Sequence, residues 1–214
     1  MAKLYTQLQE VCDFSADAEP LSAYPGSKFT NIASDYLKSA GGLCVCRATG
    51  SGTCLYTFNT ATTPPANSAV EANFVSNGSA YEPAFVFRYV NSTNFYMIRN
   101  RRVGNRLELY KFVNNTPTEV GFYTVTQTEA TVYVECADEA GTGHTDINVF
   151  LDSTLRIAYH DTAPLGYGTA LLCGIRWGWT SVGGSIDNLT VYVAASAVNV
   201  PAAYFMTANR GEIC

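Results

Sequence analysis

Charge is scarce in this chain. Only 14% of its 214 residues are Asp, Glu, Lys or Arg, where an average soluble domain carries roughly 25%. The net charge is −5, and the basic residues are scattered. Nucleic acid and anionic membrane surfaces are recognised through a basic footprint, so neither is expected as a partner. Arg99, Arg101 and Arg102, the densest basic group, read as a solvated hairpin tip. Long apolar runs are missing as well, and nothing approaches the ~20 apolar residues of a membrane span. No segment carries a sustained helical period, and no solenoid-length repeat is present.

Catalytic and cofactor signatures are equally short. G-x-S-x-G, G-x-G-x-x-G and H-E-x-x-H do not occur, and the only histidines, His144 and His160, are far apart in sequence. The loop Thr49-Gly50-Ser51-Gly52 lacks the following helix that a phosphate cradle needs. The seven cysteines are odd in number, irregularly spaced and without a C-x-x-C pair. Cys44 and Cys46 share a strand face near Cys54, a spacing that admits a thiolate metal set. The stronger expectation is free, buried thiols acting as small hydrophobes in a reducing compartment, with Cys214 exposed. The opening MAKLYTQLQE has no apolar stretch of the signal-peptide kind, so a chain made and kept in a cytosol is expected. On that footing the N-x-S/T sequons at Asn77, Asn91, Asn114 and Asn188 carry no meaning.

What the chain does have is apolar and aromatic residues, 47% and 13%, arranged with a period of two. Ala84 to Phe112 reads as three successive strands. Phe85, Phe87 and Tyr89 alternate with Val86, Arg88 and Val90, and a polar turn Asn91-Ser92-Thr93-Asn94 leads to a strand from Phe95 to Asn100. Gly104 then supplies a tight hairpin, and Leu107 and Leu109 oppose Arg106, Glu108 and Tyr110 on the third strand. A meander with one apolar face needs a second sheet to cover it. Further short strands are expected across Leu4–Phe14, Lys28–Ile32, Tyr36–Lys38, Leu43–Arg47, Cys54–Asn59, Ser68–Val75, Glu119–Val125 and Thr131–Cys136. Ile147–Leu151, Leu155–His160, Gly168–Trp177 and Ser185–Val193 complete the set. The pattern predicts an all-β, two-sheet antiparallel sandwich in a single domain over residues 1–193. Residues 194–214 depart from it, and their cluster Tyr204-Phe205-Met206 is expected to dock, on its own sandwich or, as low charge favours, on a neighbour as a subunit contact.

The order FRYVNSTNFYMIRN, GNRLELYKF, INVFLDSTLRIAYHD, CGIRWGW and SIDNLTVYV resembles the concanavalin A-like lectin/glucanase superfamily. Within it, the nearest likeness is to laminin-G-type jelly-roll domains of bacteria and their phages. The resemblance implies two curved, packed sheets with any ligand on the concave face or rim. Glycosidases of the superfamily share a strand motif E-x-D-x-x-E that puts nucleophile and acid on one face. No glutamate here has Asp at +2 and Glu at +5. Glu135, Asp138 and Glu139 come nearest but run into a Gly-rich loop as solvated carboxylates, so no enzymatic activity is expected. Calcium is common among the relatives, with Asp138, Asp146, Asp152 and Asp161 as candidate ligands. No other cofactor is implied. Asp187 is expected to anchor a turn or a strand pairing.

Sugar recognition uses flat aromatic faces and planar hydrogen-bond donors. Arg88, Tyr96, Arg106, Tyr110, Trp177 and Trp179 are the candidate platform, the two tryptophans sharing a strand face. The function expected from these readings is a non-catalytic structural and interaction protein of virion type, a phage capsid-decoration or tail component. It would be made in a bacterial cytosol, carried on the virion surface, and in contact with copies of itself, other particle proteins and surface glycans. A free carbohydrate-binding module is the alternative, and a glycoside hydrolase of the same superfamily the third reading.

Overall fold

The computed structural model describes residues 4–34, 37–46, 53–60, 63–75, 82–101, 104–125, 129–169, 171–178 and 184–194. Fifteen strands follow one another: β1 Gln7–Cys12, β2 Phe29–Ala33, β3 Leu37–Ala40, β4 Leu43–Cys46, β5 Thr53–Phe58, β6 Ser68–Val75, β7 Glu82–Asn91, β8 Asn94–Arg101, β9 Arg106–Val113, β10 Thr116–Thr124, β11 Glu129–Asp138, β12 Thr145–Leu151, β13 Thr154–Asp161, β14 Leu172–Gly178 and β15 Ser185–Val193. Among the described residues, helix is confined to two short 3-10 turns, Leu21–Ala23 and Pro25–Ser27, in the Pro- and Gly-containing stretch after β1.

The strands form two antiparallel sheets. The first runs β13-β12-β11-β6-β15-β4-β3, with β1 also paired to β15, and the second runs β10-β9-β8-β7-β14-β5-β2. The last two strands among the described residues therefore enter the middle of the sheets, β14 between β7 and β5, β15 between β6 and β4. Inner faces meet in one apolar core. Val70, Phe74, Val132, Val134, Ile147 and Val149 of the first sheet face Tyr56, Phe85, Tyr96, Ile98, Leu109 and Ile175 of the second. Each large side chain removed from water in this way stabilises by about 1.5–3 kcal/mol before ordering costs. The expected sandwich, with its alternating pattern, is what the structure shows.

Local chemistry sets the turns. Asp152 and Ser153 between β12 and β13 both have positive φ, 46° and 67°, as do Asn114 and Asn115 between β9 and β10, 51° and 64°. Two left-handed residues in succession match the right-handed twist of the flanking strands. One strand departs from simple alternation. Arg88 takes a left-handed φ of 47°, and the β7–β8 register shifts between Phe87 and Asn91. This bulge moves Tyr89 from the face of Phe85 and Phe87, where alternation puts it, to the outer cluster with Val86.

The N-terminal segment covers the outer face of the first sheet. The Leu4 amide donates to Glu135 Oε2 at 2.8 Å, and the Tyr133 hydroxyl donates to the Tyr5 carbonyl at 2.7 Å. Tyr5, Ala69, Tyr133 and Phe150 form a small apolar cluster there. Glu135 is thus fully buried, not solvated as the sequence suggests. Cys12, Cys44, Cys54, Cys136 and Cys173 are buried thiols, and burial pushes those of Cys136 and Cys173 up to about 12. Cys214 and the proposed contact residues Tyr204, Phe205 and Met206 lie outside the described residues.

Candidate functional site

Alternation along the second sheet sends one set of side chains away from the core. Leu55 of β5, Ala84 and Val86 of β7, Phe95 and Met97 of β8 and Phe112 of β9 make a second apolar cluster, with Ile32, Tyr89 and Tyr110 packed at its margin. Phe95 and Phe112 stack at 4.5 Å between ring centroids. Arg176 of β14 lies over this floor, its guanidinium carbon 4.7 Å from the Phe112 centroid and 5.8 Å from that of Phe95. It donates to Met97 Sδ at 3.3 Å.

Beside the apolar floor stands a polar network. The hairpin register puts Arg99 directly opposite Glu108 and Arg101 opposite Arg106. Glu108 is fully buried and gathers three guanidinium groups. Arg99 Nε donates to Oε2 at 2.9 Å and its NH2 also bonds that oxygen, while Arg101 and Arg106 lie 3.5 and 3.4 Å from Oε1. The Tyr110 hydroxyl accepts from Arg99 at 2.9 Å and lies 3.2 Å from Glu108 Oε2 and 3.5 Å from Glu119 Oε2. Burial raises the Tyr110 pKa, with Arg99 opposing. Arg106 reaches across to β10, donating to Glu119 at 2.6 Å and lying 4.0 Å above the ring of Phe122. Phe122 itself is 55% exposed. The face therefore presents an accessible aromatic ring, planar guanidinium groups and the Glu119 carboxylate side by side.

Of the six residues expected to form a sugar platform, Arg106 and Tyr110 are on this face and partly accessible. Arg88 and Tyr96 are corrected: both are buried and point between the sheets. Arg88 pairs with Asp138 at 2.8 Å and donates to the carbonyls of Leu165 and Gly166, each at 3.0 Å. Its bulged backbone is what turns it inward. Tyr96 bonds the Asp161 carboxylate, which also pairs with Lys111 at 2.8 Å. Trp177 sits on β14 opposite Cys54 and Pro83, and Trp179 lies outside the described residues. Arg99 and Arg101, expected as a solvated tip, are corrected too, because cross-strand pairing brings them onto Glu108. Glu108, Glu119 and Phe122 were missed. The signal was the Gly104 hairpin, whose register puts Glu108 against Arg99.

The aspartates suggested for calcium are separately engaged. Asp138 accepts from Arg88, Thr145 and the Gly168 amide, and Asp161 accepts from Lys111 and the Ala163 amide. Burial raises the pKa of each carboxyl, and these donors more than offset it, so both lie below the ordinary value. Asp152 accepts from the Thr131 amide at 3.0 Å and, with Asp187, Asn73 and Thr131, lines a surface groove of about 250 Å³. Asp187 lies opposite Asn73 where β15 shifts register. Asp146 faces His160, and the fold brings His160 beside His144.

No protein-family model matches the chain, and no curated protein matches it in sequence. Solved structures do match in fold. The laminarinase from Rhodothermus marinus superposes with a TM-score of 0.64 at 11% identity, over 91% of this chain and 100% of that one. The carbohydrate-binding module CBM66 from Bacillus subtilis gives 0.59 at 14% identity, over 77% and 95%. The metal-free carbohydrate recognition domain of Emp46p gives 0.57 at 11% identity, over 87% and 100%. Binding modules and glucanases thus share this architecture, and the chain has the concanavalin A-like jelly-roll fold.

Proposed function

We propose that the protein is a non-catalytic glycan-binding protein whose sugar contact is the outer face of the second sheet, centred on Phe122, Arg106, Tyr110 and Glu119. The observation that carries this reading is the exposed Phe122 ring backed by the Arg106 guanidinium at 4.0 Å. An aromatic face offers dispersion contact to the C–H groups of a pyranose, and the Arg106 guanidinium and Glu119 carboxylate beside it can bond ring hydroxyls. The likeness to structures described as carbohydrate-binding supports the reading at the level of fold.

A glucanase is the second reading, and Tyr110 favours it: its hydroxyl is flanked by Glu108 and Glu119, so two carboxylates share one small region. Retaining hydrolysis uses two carboxyls about 5–5.5 Å apart, one of them held protonated by its surroundings. Here Glu108 is ion-paired with three arginines and Glu119 with Arg106, so both carboxyls are already engaged within the sheet. The assembly role in a virion stays an expectation from sequence.

Affinity electrophoresis through gels containing a β-1,3-glucan, a xylan or an acidic polysaccharide tests the proposal. Retardation by at least one polymer is expected, weakened at least about tenfold by Phe122→Ala as loss of a stacking ring implies, with no reducing sugar released. Unretarded migration in every gel, or retardation indifferent to both Phe122→Ala and Arg106→Ala, overturns it. Reducing-sugar release abolished by Glu119→Gln establishes the glucanase instead.

A further inference from the structure

A separate cluster of metal-ligating side chains lies at the β13 edge of the first sheet. Glu139, His144 and His160 each offer a ligand atom, and these atoms all lie within 4.8 Å of one another. The two imidazoles meet edge to face with centroids 5.0 Å apart. None of the three takes part in the glycan-binding face, so this inference stands independently of that reading.

The backbone builds the cluster. β11 and β12 are joined by residues 139–144, where the Glu139 amide donates to the His144 carbonyl at 2.9 Å. Gly141 and Gly143 take left-handed φ values of 82° and 75°, which lets a short loop fold back so that residues 139 and 144 meet. The Thr142 hydroxyl donates to Glu139 Oε2 at 3.0 Å, and the Tyr167 hydroxyl donates to the Glu139 carbonyl at 2.6 Å. His160 comes from β13, where the register sets it opposite Asp146. Its Nδ1 lies 2.8 Å from Asp146 Oδ1. A carboxylate on one imidazole nitrogen fixes the ring and makes the other nitrogen a better ligand.

We propose that Glu139, His144 and His160 form a binding site for a borderline divalent cation of the Zn²⁺ class, with Asp146 as the residue that positions His160. Two imidazoles and one carboxylate suit Zn²⁺, Ni²⁺ or Cu²⁺, whereas Ca²⁺ and Mg²⁺ take oxygen-only sets. The side chains of Glu139, His144 and His160 are 39%, 34% and 47% exposed, so the ion has an entry path and solvent completes its coordination. Metal–ligand bonds of about 2.1 Å require the three atoms to close by roughly 1–1.5 Å, a shift within the rotamer freedom of exposed side chains. The bound ion would tie the β11–β12 loop to the edge strand β13.

The test is calorimetric titration of the chelator-treated full chain with Zn²⁺, repeated with His144→Ala, His160→Ala and Glu139→Gln. One equivalent is expected to bind, and each variant should bind at least about tenfold more weakly while melting at the temperature of the metal-free parent. Co²⁺ substituted at the site should show visible d–d absorption without a near-ultraviolet thiolate band, since the five described thiols are buried. Absence of binding, binding unchanged in all three variants, or a thiolate band on Co²⁺ each overturns the assignment.

Discussion

Arg88 closes one end of the sandwich from inside. Its guanidinium and the Asp138 carboxylate are both nearly buried, with side-chain exposures of 3% and 8%, and three backbone carbonyls accept further bonds from it. Removing one partner of a buried pair strands the other charge, which costs about 3–5 kcal/mol. Arg88→Met is therefore expected to lower the unfolding free energy measured in urea by that amount, and adding Asp138→Asn should recover part of the loss. Additive losses in the double variant would show that the two side chains are not coupled. The same carboxylates set the acid limit. Asp138 and Asp161 have pKa values below the ordinary 3.8, so their unfolded forms bind protons first. Their contribution is fully present above about pH 4 and is lost as pH falls through the lowered values. Melting temperatures measured from pH 6 downward should hold steady and then drop below about pH 4, and Asp161→Asn should flatten that drop. Thiol reactivity is decided at this scale too. Native protein should react slowly at its five described cysteines, and unfolded protein should react at all seven.

Among the elements, β14 depends on a glycine. A Cβ at Gly174 would lie 1.9 Å from the Tyr56 carbonyl oxygen, a backbone atom of the neighbouring strand that cannot step aside without opening the β14–β5 ladder. Gly174→Ala is expected to cost about 1–3 kcal/mol or more, read as a lower melting temperature with amide exchange quickened along β5 and β14. Gly121 makes a softer contact, because its added Cβ would meet the Ile157 Cγ2 methyl at 2.6 Å; Ile157→Ala removes that methyl, so the losses from Gly121→Ala and Ile157→Ala should be less than additive in the double variant. Turn residues and alternating faces made most elements readable. β6 and β15 have the bounds that alternation predicts, and the Gly104 hairpin is where its φ requirement puts it. The bulge at Arg88 was not readable, since Arg is not a residue that declares a left-handed conformation. That single backbone choice is why Arg88 faces Asp138 instead of a ligand.

At the scale of the molecule, β15, the last strand among the described residues, ends at Val193, and deleting residues 199–214 is expected to leave the sandwich folded, with an unchanged far-UV spectrum and a melting temperature within a few degrees. A loss of self-association in that truncated chain would assign the tail the subunit-contact role its apolar cluster suggests. Unfolding of the truncated chain would make the tail part of the core. Removing residues 1–5 should do more damage, because Tyr5 and the Leu4 amide cover Glu135 and the outer cluster of the first sheet. What the amino-acid sequence determined unaided was the class of fold: its period-two apolar pattern and its turn residues act over a few positions, and only strands packed as two sheets satisfy them. What the tertiary structure decided was the chemistry of the surfaces. Glu108 meets Arg99 and Arg101 through a hairpin register, Phe122 meets Arg106 across a strand pair, and His144 meets His160 because β12 and β13 align. Those meetings follow from strand register and sheet order, which fix through space what no short stretch of sequence encodes.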